Sequence, residues 1–233
     1  MNDAEFSDPR PPTPDTLLVC AATRFELEAC RRDGENWDGA GAIVYQSGGL
    51  SCVVSGVGMP ETFAKLSAAA QILVPARIVN IGIAGAYPGS GLEIGDLVTA
   101  DSECYGDVGF ELPDAPHFQP IAQSNFGAFY ANKLPMTPLS EIPAGFTLKR
   151  GAGCTVNSCA GTLRTGETRA RLFQSDFETM EGAVVAQIGA EQKIPVTEIR
   201  AISNIAAQRD MRPENIKLAL VNLRRFLQAL TEL

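Results

Sequence analysis

The chain has 233 residues, 45% apolar and 20% charged, a composition typical of a globular α/β-sized domain rather than a low-complexity or fibrous chain. Its formal net charge of −8 argues against nucleic acid or an anionic membrane as partner, since both require basic surfaces. No apolar run approaches the roughly 20 residues of a membrane span.

Residues 1–15 are acidic and proline-rich and lack the basic and apolar regions of a secretion signal, which predicts a disordered tail ahead of one domain over 16–233. Thr16–Ala22 reads as a first strand and Arg24–Arg32 as a short helix. Ala42–Gln46 and Leu50–Ser55 read as a hairpin turning through Gly48-Gly49. Glu61–Leu73 is an alanine-rich helix. Arg77–Ala84 is a nearly continuous apolar strand, the pattern of a sheet covered on both faces. Gly95–Tyr105 follows as another strand. The stretch from Gly106 to Ile142 is rich in Pro, Gly and Asn, with a short helix expected near Asn125–Ala131; irregular stretches of this length usually carry function. Thr147–Val156 returns to strand, Arg164–Phe173 and Met180–Glu191 to helix, and Ile194–Ser203 to strand. Pro213–Leu230 closes the chain as an amphipathic helix with Ile216, Leu220, Leu223, Leu227 and Leu230 on its buried stripe.

Strands alternating with helices predict an α/β fold of three α/β/α layers around a mixed, mainly parallel sheet. In such sheets ligands bind beyond the C-terminal strand ends, here Ala22–Glu26, Ala84–Tyr87, Val156–Ser158 and Ser203–Asn204. The cysteines, six in all, form no CxxC pair and suit a reduced, cytoplasmic protein. With His117 the single histidine, a zinc site or a histidine-based nucleophile is not expected, and no cofactor or metal is implied. Glu26 and Glu181 both fit helix-start acids that complement the helix dipole. Gly82 and Gly85 fit either tight turns or a backbone that approaches a ligand. Asn204 fits a turn after its strand. Arg200, a charge inside an apolar strand, requires a partner, for which Glu181 is a candidate.

Taken in order, these segments resemble the purine nucleoside phosphorylase and nucleosidase superfamily from about Leu17 to Leu230: AATRFELE, NIGIAGA, GDLVTAD, TMEGAVVAQ and IRAISN. In pattern the chain is most similar to the methylthioadenosine/S-adenosylhomocysteine nucleosidases and their futalosine-cleaving kin. The resemblance implies that Glu26 activates water, that Glu181 bridges the ribose hydroxyls and that Met180 packs on the sugar. It implies that Asn204 stands where adenine-specific members carry an aspartate. Thr179 replaces an acid found before the Met-Glu pair, and Ile83 replaces a polar residue that helps phosphorylases hold phosphate. Thr179, Ala84, Gly85, Val156, Asn157, Ser158 and Arg209 are the remaining expected substrate contacts. Arg209, with Arg24 and Arg150 as alternatives, is the expected partner of a substrate carboxylate.

The amide narrows the base. A 6-oxopurine presents acceptors at N7 and O6, which an Asn NH2 can satisfy together, whereas a carboxylate would set acceptor against acceptor. The resemblance therefore implies hydrolysis of futalosine to hypoxanthine and dehypoxanthine futalosine in menaquinone biosynthesis, by a homodimer or higher homo-oligomer. The rivals are a phosphorylase or methylthioadenosine/S-adenosylhomocysteine nucleosidase on the same fold, and a nucleoside-binding protein without turnover.

Overall fold

A computed structural model of the chain describes residues 16–32, 34–37, 39, 41–114, 118–124, 133–139, 141–207 and 210–230. The expected tail over 1–15, the expected helix near Asn125–Ala131, His117 and Arg209 all lie outside the described residues.

The first strand, β1 (Leu17–Ala21), lies between β3 (Leu50–Val54) and β4 (Arg77–Ala86), parallel to both. β2 (Ile43–Ser47) pairs antiparallel with β3 through the Gly48-Gly49 turn, where both glycines take positive φ. Such a two-residue turn demands that conformation, which is why the Gly-Gly pair marks the hairpin. On the other side of β4 lies β11 (Val196–Ile205), parallel to it, then β5 (Leu97–Glu103), antiparallel to β11. β9 (Lys149–Thr155) and the short β10 (Phe177–Thr179) continue the sheet in parallel. The sheet is thus mixed, as expected.

Two features go beyond the expectation of stacked layers. β10 also pairs antiparallel with β4, so that β4, β11, β5, β9 and β10 close on one another. A separate hairpin, β6 (Gly109–Glu111) with β7 (Phe118–Pro120), and a two-residue strand, β8 (Leu134–Pro135), occupy the stretch read as irregular. β10, only three residues long, carries too little periodicity to register as a strand; its pairing partners, far away in sequence, create it.

Alternation along the strands divides the core. Leu18, Cys20, Ile78 and Ile202 pack with α2 (Met59–Leu73) and α4 (Gly182–Gln192). Val19, Ala21, Val79, Ile81, Ile199 and Ala201 pack with α5 (Pro213–Ala229) and with Leu27 of α1 (Arg24–Leu27). Along the predicted stripe of α5, Leu223, Leu227 and Leu230 are buried. The first helix is shorter than expected: α1 has four residues and gives way to a 3-10 turn over Glu28–Cys30. α3 (Leu163–Phe173) follows β9 and starts at a Thr162 cap. β1, β4 and β11 are adjacent and parallel, so Thr23–Glu26, Ala84–Ala86 and Asn204 share one edge.

Candidate active site

At that edge lies a cavity of about 400 Å³. Glu26, Glu178, Glu181 and Asn204 line it, together with Met180, Thr179, Ala84 and Gly85. Three of the expected contacts are not there. Val156 is fully buried in a core cluster with Tyr87 and Cys154. Asn157 and Ser158 are exposed; the Asn157 side chain accepts the Met59 N–H at 3.1 Å, and both backbone N–H groups donate to Asp107. The strand-end rule located this loop, but the residues that reach the cavity from it are Cys159 and Ala160.

Glu26 is held twice over. It is the third residue of α1 in a capping box: its Oε2 accepts from Thr23 N–H at 3.2 Å and from Thr23 Oγ1 at 2.8 Å. Its Oε1 accepts the Ile83 N–H at 3.1 Å, from β4. One side chain therefore both caps the helix start and lines the cavity. Gly82 explains how the acid comes so close to the strand: a β-carbon there would lie 2.7 Å from Glu26 Oε1 and 2.4 Å from Arg200 Nη1. Gly82→Ala is expected to cost about 1–3 kcal/mol through this overpacking, read as a lower denaturation midpoint. An unshifted midpoint would show that Glu26 and Arg200 yield freely.

Asn204 owes its direction to an irregularity. The pairing of β11 with β4 slips between Ile202 and Asn204, leaving Ser203 as an extra residue. Bulges of this kind re-aim a side chain. Ser203 Oγ lies closer to Asn204 Oδ1, at 2.9 Å, than to its other acceptor, the Ala84 carbonyl at 3.3 Å, and Nδ2 lies toward Gly85 and the cavity.

Glu181 stands at the N-cap of α4, one residue outside the helix expected to contain it. Its Oε1 accepts the Gly58 N–H at 3.0 Å. The buried Arg200 reaches Glu181 at 3.9 Å but holds Glu198 more closely, at 2.6 Å. Burial drives the Glu181 pKa up to about 7, against the pull of Arg200 and the Gly58 N–H. Thr179 lines the cavity with its hydroxyl turned inward: it donates to the buried Glu103 at 3.1 Å and accepts the Gly182 N–H at 3.2 Å, capping the start of α4.

Residues 35–233 match the family model of the phosphorylase superfamily. The chain belongs to that superfamily. It is 30% identical to futalosine hydrolase of Thermus thermophilus over 91% of this chain and 94% of that one. It is 34% identical to futalosine hydrolase of Streptomyces coelicolor, over 63% of this chain and 61% of that one. Among solved structures, the methylthioadenosine/S-adenosylhomocysteine nucleosidase of Streptococcus pneumoniae, determined with 8-aminoadenine, superposes with a TM-score of 0.69 at 23% identity, covering 92% of this chain and all of that one. This last likeness shows the nucleoside phosphorylase-like fold.

Among the described residues, the charged groups that line the cavity are all acidic. Its described lining holds the carboxylates of Glu26, Glu178 and Glu181 and no lysine or arginine. Of the expected carboxylate partners, Arg24 donates to the Trp37 carbonyl at 2.5 Å and lies 3.7 Å from Glu28, and Arg150 pairs with Asp101. Glu178, which the sequence reading passed over, lines the cavity while only 4% exposed. No local signal marked it, since a three-residue strand with every position buried shows no alternation that would assign its side chains to a face.

Proposed function

We propose that the chain hydrolyses the N-ribosidic bond of futalosine to hypoxanthine and dehypoxanthine futalosine. The observation that carries this reading is the placed amide: Asn204 Oδ1 lies 2.9 Å from Ser203 Oγ, and Nδ2 lies toward Gly85 and the cavity. Two donors suit N7 and O6 of a 6-oxopurine.

The chemistry follows from bond polarity. As the C1′–N9 bond breaks, its electron pair moves to the purine, and Asn204 donates to N7 and O6 where negative charge gathers. Glu181 accepts from the ribose 2′- and 3′-hydroxyls and faces the oxocarbenium ion. A carboxylate has about four acceptor positions, so Glu26, holding Thr23 and Ile83, retains room for water. It takes the water proton as the oxygen bonds to C1′; the purine anion takes a proton from solvent, and Glu26 returns its own to solvent. Met180 packs on the sugar. The scheme uses no cofactor.

Water rather than phosphate is the nucleophile in this scheme. Among the described lining residues a phosphate would meet three carboxylates and no lysine or arginine. The wall residues Phe25, Ile216 and Leu220 also line a neighbouring apolar groove of about 690 Å³, whose lining includes Lys217 and Arg224. That continuation suits a long 5′ substituent ending in a carboxylate, as futalosine has, better than a methylthio group. The free cysteines support a reduced, cytoplasmic setting. The exposed Val57, Phe63 and Ile72 support a homodimer or higher homo-oligomer. Residues 16–233 then act as one nucleosidase domain serving menaquinone biosynthesis.

The deciding experiment mixes the protein with futalosine, inosine and methylthioadenosine, with and without phosphate, and measures released base by chromatography. Hypoxanthine from futalosine, indifferent to phosphate, is the expected result. Phosphate-dependent release would establish a phosphorylase, and adenine release would establish the adenosine branch. A pH profile tests Glu181. Its proton leaves as pH rises through about 7, and only the ionised form accepts from both ribose hydroxyls. Accordingly kcat/KM should climb with pH to a plateau above about 7, since it reports the free enzyme. A profile flat from pH 5 to 8 would show that Glu181 is already ionised across that range and that burial does not raise its pKa to about 7.

A further inference from the structure

Glu178 is a buried carboxylate on the cavity wall to which the hydrolytic scheme gives no task. Its place is set by the closure of the sheet. Gly85 of β4 pairs with Glu178 of β10 on one side and with Asn204 of β11 on the other. A β-carbon at Gly85 would lie 3.1 Å from Asn204 Nδ2 and 3.4 Å from Glu178 Cγ. The amide and the acid therefore flank one residue that has no side chain, on the same face, and both line the cavity.

The carboxylate is only partly used by the protein. Its oxygens accept the Ala160 N–H at 2.9 and 3.2 Å, and Arg169 Nη1 stands 3.5 Å from Oε2. Burial pushes its pKa above the usual carboxylate range, while the Ala160 N–H, Arg169 and the Tyr87 hydroxyl pull the other way. Buried acids are retained where they are paired or where they meet a ligand. With about four acceptor positions available to a carboxylate, capacity remains for a donor inside the cavity.

We propose that Glu178 is a specificity residue that accepts the N1–H of a 6-oxopurine while Asn204 donates to O6 and N7. The inference rests on the nucleoside reading above and deepens it. N1–H lies beside O6 on the ring, so an acceptor next to the Asn204 donors matches the order of groups along that edge. Adenine carries a bare acceptor at N1, which would face the carboxylate with no hydrogen between them. Glu178 thus rejects adenine independently of Asn204. Guanine, whose 2-amino group adds a second donor beside N1–H, would be accepted.

The test uses free bases, so that it does not depend on turnover. Binding of hypoxanthine, 1-methylhypoxanthine and adenine is measured by calorimetry for the wild-type chain and for Glu178→Gln. The glutamine keeps one acceptor for Ala160 and turns amide hydrogens toward the base. Hypoxanthine should bind the variant about 10- to 100-fold more weakly, and adenine should bind it more tightly. Methylating N1 should cost the wild type a similar factor and the variant at least about tenfold less, since the interaction it removes is already gone. An equal change for all three bases would show that Glu178 only anchors Ala160, and would overturn the proposal. If the variant does not fold, the wild-type comparison still decides: a penalty for N1 methylation below about threefold overturns it. Failure of the wild type to bind any purine base is a separate outcome, which removes the nucleobase reading and the proposal with it.

Discussion

Glu26→Gln is expected to lower futalosine hydrolysis by about 10²–10⁴-fold, the usual contribution of a positioned base. Binding of the substrate should stay within about tenfold, because the role proposed for Glu26 is on water and not on the nucleoside. The geometry makes this substitution informative. Glu26 Oε1 accepts from the Ile83 N–H, and a glutamine carbonyl can keep that bond. The cost falls on the capping box, where an amide hydrogen would face the Thr23 N–H now bonded to Oε2. That loss is about 1 kcal/mol at a helix start, small enough to leave the chain folded. Single-turnover kinetics and ligand binding, measured side by side, separate the two effects. Turnover at the wild-type rate would mean that another group activates water.

Asn204→Asp is expected to reverse the preference of the cavity between purines. The aspartate would keep the bond from Ser203 Oγ, now made at 2.9 Å, on one oxygen. Its second oxygen would replace Nδ2 and set an acceptor against O6 and N7. Each unmet buried partner costs about 1–3 kcal/mol, so two predict a fall of about 30-fold or more in kcat/KM for futalosine. Adenine nucleosides should gain, since a carboxylate accepts from their 6-amino group. The gain should be incomplete while Glu178 still faces N1, and larger when Glu178→Gln is added. The ratio of kcat/KM values for the two nucleosides is the measurement. A ratio left unchanged by Asn204→Asp would refute the role of the amide.

The parts of the site that were legible in the sequence were those tied to local pattern. Glu26 follows β1 within a capping box whose Thr23 is three residues earlier, a spacing that any helix start displays. Asn204 was found because a long apolar strand ends near it, while Gly82 and Gly85 fitted either tight turns or a close approach of the backbone. The loop after β9 shows the limit. Strand-end logic reached it, but which side chains of Val156–Ala160 face the cavity depends on Asp107 and Met59 capturing Asn157, contacts made from far along the chain. Arg200 shows the same limit: its need for a partner was evident, but Glu198, two residues away on the same strand, outcompetes Glu181 by distance alone.

By itself, the sequence determined the alternation of strands and helices, the two-sided burial of β4, the glycine hairpin and the polar residues delivered to the strand ends. These follow from periodicity and backbone freedom, which each short segment carries within itself. Only the tertiary structure decided that β10 exists, that it returns to β4, and that Glu178 thereby stands beside Asn204 across Gly85. It also fixed which end of the Asn204 amide faces the cavity and raised the Glu181 pKa to about 7. Strand closure, hydrogen-bond direction and desolvation arise between residues far apart in the chain, and no local pattern encodes them.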